Sequence, residues 1–99
     1  MTRIKNLTDQ IQEELEGAKS YAENYVEHKV RGNSTMANRY KEMANDELKH
    51  AGYIHDEAVQ AISELEKSIT PPAEMLEKWR SAHKNYVEKA AWVKQMLAL

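Results

Sequence analysis

An all-α fold is predicted by three features of the sequence. Apolar residues recur in steps of three and four over long stretches, no alternating run is long enough for a strand, and strong breaks occur only at Gly32-Asn33-Ser34 and Thr70-Pro71-Pro72. The segments between the breaks are rich in Ala, Glu, Lys, Leu and Met, which lose little side-chain freedom in a helix. One domain of three helices follows, at about residues 4–31, 34–68 and 71–98. Gly32 can take the left-handed conformation that ends the first helix. Asn33 or Ser34 caps the second, which at about 35 residues would reach roughly 50 Å. Thr70 is expected to cap the third, with Pro71 at its first position. Gly17 and Gly52 fall inside helices, where each costs about 1 kcal/mol relative to Ala, so close packing is the expected reason for them.

Composition excludes several functions. The chain has 99 residues, 30% of them charged, with a net charge of -2 and no cysteine. Basic and acidic residues are interleaved, so there is no basic stripe for nucleic acid or an anionic membrane. No apolar run approaches the roughly 20 residues of a membrane helix, and MTRIKNLTDQ lacks the apolar core of a secretory signal. A cytoplasmic protein is expected. Without cysteine there are no thiolate ligands or disulfides. A domain this small buries a core only marginally alone, so association with a second copy would help it.

Polar residues interrupt the apolar seams. The first helix carries Ile4, Leu7, Ile11, Glu14, Ala18, Tyr21, Tyr25 and His28 in alternating steps, with Glu14 in the middle. The second carries Met36, Tyr40, Met43, Glu47, His50, Ile54, Ala58, Ala61 or Ile62, and Leu65. Glu13, Glu16 and Asp46 lie about 100° or more away and can face water. If the helices fold back antiparallel at Gly32-Asn33, Glu14 and His50 both sit roughly 26 Å from the turn, with Glu47 one turn closer. Two carboxylates and an imidazole thus converge at one level. A divalent cation would compensate the acids and use the neutral imidazole as a ligand.

These residues carry a family resemblance. ELEGAKSY (Glu14 to Tyr21), followed by EMANDELKHA with its Glu47-x-x-His50, resembles half of a rubrerythrin or ferritin-like di-iron domain. In such domains a Glu on one helix and a Glu-x-x-His on the next supply the ligands. The resemblance covers about residues 7 to 65 and implies a ferritin-like hairpin with Glu14, Glu47 and His50 as metal ligands. It also implies that Tyr21 donates to the site from behind the ligands. Iron is the implied metal. A carboxylate-rich set favours iron or manganese, with zinc an alternative.

The chain also departs from the family pattern. A complete bundle needs four core helices and a second Glu plus Glu-x-x-His, whereas the third segment, EMLEKWRSAHKNYVEKAAW, holds no such motif. There is no four-cysteine electron-transfer module either. Two hairpins in a homodimer would supply four Glu and two His around two metals and complete a four-helix core, an arrangement that encapsulated ferritins resemble. The implied activity is Fe(II) oxidation or reduction of oxygen or peroxide. The alternative is a non-enzymatic helical interaction or assembly module, a kind of small protein that phages also encode.

Other candidates have plainer readings. His28 is expected at the surface near the turn, and His55 lies about 140° from His50 around the helix. His83 borders a third-helix packing stripe of Met75, Trp79, Ala82, Tyr86, Ala90, Val93 and Met96 or Leu97. Met36, Met43, Met75 and Met96 read as core filling rather than metal ligands. Ala37, Ala44, Leu48, Ala51, His55 and Val59 form a second face expected to receive the third helix.

Overall fold

In the computed structural model, which describes residues 2–99, three helices account for nearly the whole chain: α1 (Thr2–Val30), α2 (Ser34–Ser68) and α3 (Ala73–Leu97). No strand occurs among the described residues. The α1–α2 turn is built as its residues require. Gly32 takes φ 80°, a conformation an L side chain would resist. The Asn33 N–H donates to the His28 carbonyl at 2.9 Å, closing the end of α1. The Asn33 side chain then accepts from the Met36 N–H at 3.2 Å and opens α2.

The α2–α3 connection differs from the sequence expectation. Pro72, not Thr70, occupies the N-cap position, and it supplies no side-chain hydrogen bond. Steric conflict with the Pro72 ring keeps Pro71 out of the helical region, so the helix can begin only after the second proline.

α1 and α2 run antiparallel. α3 returns alongside α1 in the same direction, with Gln12 accepting from Asn85 at 2.6 Å and Glu16 paired with Lys89. The deepest ridge of α2 is Ala37, Ala44, Ala51 and Ala58, every seventh residue and all buried. Sequence periodicity centres the hairpin on the seam bearing Glu47 and gives this Ala face to α3. Instead the Ala face packs against both neighbours, because side chains this small let three backbones approach one axis. Ile4, Leu7, Ile11 and Leu15 meet Ala51, Ala58 and Ile62 in one half of the core. Ala18, Ala22 and Tyr25 meet Ala44, Val93 and Leu97 in the other. Leu48 touches both halves and joins them.

Candidate metal centre

The polar cluster sits beside the junction of those two halves. Leu15 points into the core, so the preceding residue, Glu14, lies about 100° round α1 on its edge facing α2. Glu47 and His50, one turn apart, rise from the matching edge of α2. One ligand atom from each of the three lies within 4.8 Å of the others. His50 Nδ1 is 3.5 Å from Glu14 Oε2 and 3.7 Å from Glu47 Oε1.

The seam pattern predicts that these residues lie inside an apolar interface. The single chain leaves them at its edge: the Glu14 and Glu47 side chains are 27% and 25% exposed, and that of His50 is 53% exposed. α3 packs elsewhere, so this face stays open.

The chemistry of the donor set suits a cation. Glu14 Oε2 is buried without a hydrogen-bond partner, and the approach of His50 does not meet hydrogen-bond geometry. The Glu47 carboxyl is held above the usual carboxylate range, first by its hydrogen-bonding approach to the Glu14 carboxylate, then by burial and by the Glu14 charge; His50 opposes the shift. The chain also makes room for that carboxylate. A Cβ on Gly17 would lie 3.1 Å from Glu47 Oε2, so the missing side chain lets Glu47 rest over the α1 backbone one turn beyond Glu14. Two oxygen donors and one imidazole nitrogen, with open positions towards solvent, fit an iron or manganese ion. The sequence marks Gly17 as a place of close packing, and the structure identifies the Glu47 carboxylate as what packs there.

The remaining candidates lie elsewhere. Tyr21 is half-buried further along α1, with its ring 6.2 Å from that of Tyr40. His28 stacks on Tyr40 with ring centroids 5.3 Å apart, near the turn. His55 and His83 pair with each other across α2 and α3, a contact the sequence does not suggest. No described helix is long and apolar enough to cross a membrane.

Comparison with known proteins agrees with this arrangement. The Rubrerythrin family model matches residues 5–97. The chain therefore belongs to the rubrerythrin family, a ferritin-like family of di-iron-binding helical proteins. No curated protein and no solved structure matches it.

Proposed function

We propose that this member of the rubrerythrin family binds two irons between two copies of the chain and oxidises Fe(II) or reduces oxygen or peroxide there. The observation that carries the reading is the convergence of Glu14, Glu47 and His50 around a buried carboxylate oxygen that nothing in the chain satisfies. Tyr21, Met36, Tyr40, Met43 and Ile54 are only half-buried around that face, which suits a second copy closing over it.

Bound iron would supply the one-electron chemistry that organic side chains lack. Glu14 and Glu47 would offer carboxylate oxygens to it, and His50 a neutral ring nitrogen. Because Glu47 holds its proton above the usual carboxylate range, that proton would have to leave on binding, so affinity should rise with pH. Tyr21, two turns beyond Glu14 on α1, is the residue we assign to hydrogen-bond a carboxylate once a second copy closes the face.

Metal analysis of protein made with added iron tests the binding. About two metals per dimer are expected. Glu47→Ala with His50→Ala should remove them, while Glu13→Ala, on the exposed side of α1, should not. Wild-type metal content in the double variant would sink the assignment. Activity is read by adding Fe(II) in air: near-ultraviolet oxo-ferric absorption should grow faster than in buffer. Binding without that acceleration would favour a structural site in an assembly module.

A further inference from the structure

We propose that His55 and His83 form a second metal site, which takes a borderline cation of the Cu(II) or Ni(II) type and pins α3 to α2. His55 Nε2 and His83 Nδ1 lie 2.7 Å apart on different helices. The ring centroids are 4.9 Å apart, so the two nitrogens meet nearly in line as a hydrogen-bonded pair. Two imidazole nitrogens at right angles around an ion, each about 2.0 Å from it, would sit roughly 2.8 Å apart. The observed spacing already matches that separation, so the helices need not move and the exposed His83 ring is the one that turns. Right-angled nitrogen ligation is the tetragonal preference of Cu(II) and Ni(II).

The surroundings prepare His55 as a ligand. Its side chain is only 14% exposed, its ring stacks on Tyr86 at 4.4 Å, and Trp79 lies 5.4 Å away, which fixes its direction. Burial, then the positive charge of a protonated His83, holds its pKa below the usual imidazole value, against the opposing pull of Asp56. Asp56 Oδ1 lies 3.9 Å from His55 Nδ1, too far for a hydrogen bond but near enough to favour a proton there. The Nε2 lone pair is then left facing His83, the same division of labour found in metal-binding histidines with a carboxylate behind them. His83 is exposed, so an ion can enter and water can fill its other positions. To bind, neutral His83 moves its proton from Nδ1 to Nε2, with no net proton released.

This site is separate from the carboxylate centre, since His55 lies about 140° round α2 from His50. The test therefore uses the Glu47→Ala, His50→Ala protein, whose first site is disabled, and does not depend on the function proposed for it. Cu(II) and then Ni(II) are titrated in by calorimetry, with the copper visible band and thermal melts recorded in parallel. About one ion per chain, nitrogen ligation and a higher melting temperature are expected. His83→Gln, an exposed substitution that should leave the fold intact, should weaken binding at least about tenfold and abolish the thermal shift. His28→Gln should change neither. Absence of binding, or unchanged affinity in His83→Gln, would overturn the site; binding with no rise in melting temperature would overturn its pinning role.

Discussion

Glu47 stands where metal binding and apo-protein stability oppose each other. Because its carboxyl is raised by the approach of the Glu14 carboxylate, by burial and by the Glu14 charge, the fold favours the protonated form. For such a group the stabilising contribution is complete below the unfolded pKa and is lost as pH rises through the folded one. Metal-free protein should therefore lose stability from this pair as pH rises above the ordinary carboxylate range. Glu47→Gln should remove that loss, raising the apo melting temperature at pH 7 by on the order of a few degrees while lowering metal occupancy. A variant that melts below wild type at pH 7 would refute the strain. Gly17 gives the complementary test. Ala at this helical position should add about 1 kcal/mol through propensity, yet its Cβ would press on Glu47 Oε2 at 3.1 Å. We expect Gly17→Ala to hold or raise the apo melting temperature and weaken iron binding several-fold, with Gly17→Val weakening it further. Unchanged affinity in both would show that Glu47 does not need the space. The three ligand types are legible in the sequence because hairpin arithmetic depends only on helical rise. The cradle is not, because it depends on the rotamer Glu47 adopts.

Among the elements, α2 is the one whose pattern is half legible. Its length follows from the absence of Gly or Pro breaks between Ser34 and Ser68 apart from Gly52, and its cap from Asn33. Its core ridge is harder to read. The alanines at 37, 44, 51 and 58 contribute little hydrophobic weight individually, so the larger Met, Tyr and Ile residues draw the seam toward the open face. What makes Ala37, Ala44, Ala51 and Ala58 central is the close approach of three helices, a tertiary fact. Ala44→Leu should therefore cost about 1–3 kcal/mol by overpacking, whereas Asn38→Leu, on the exposed side of the same helix, should be nearly neutral; urea unfolding would separate them. The α3 contact with α2 has its own dependence on pH. His55 is held neutral, so its contribution is present above the ordinary imidazole pKa and is lost as pH falls through its lowered one. His83 and Asp56 are its titrating neighbours, while Trp79 and Tyr86 provide the packing. Metal-free protein should lose stability below about pH 6, and His55→Phe should reduce that loss. A pH-independent difference between the two proteins would rule this out.

At the scale of the whole molecule, the chain is a rod of 55 × 17 × 17 Å in which α3 covers one side of the hairpin and the ligand-bearing side is left open. α3 supplies packing residues and no second Glu-x-x-His, so a single chain offers three ligands at one level. Those ligands leave a metal with an incomplete shell, whereas two chains facing each other would provide four Glu and two His. They would also bury Met36, Met43 and Ile54 against their counterparts. Assembly and metal binding should then be linked: a dimer that presents a complete site binds metal more tightly than a monomer, and metal must stabilise the dimer by the same free energy. The stabilisation should strengthen as pH rises, because the proton that the fold favours on Glu47 competes with the metal there. Apolar contact can hold two copies together without metal, so chelation is expected to lower the melting temperature without necessarily dissociating the dimer. Light scattering on metal-loaded protein, with thermal melts before and after chelation, measures both sides of the linkage. A monomer with full metal content would disprove the shared site, and identical melts with and without metal would disprove the coupling.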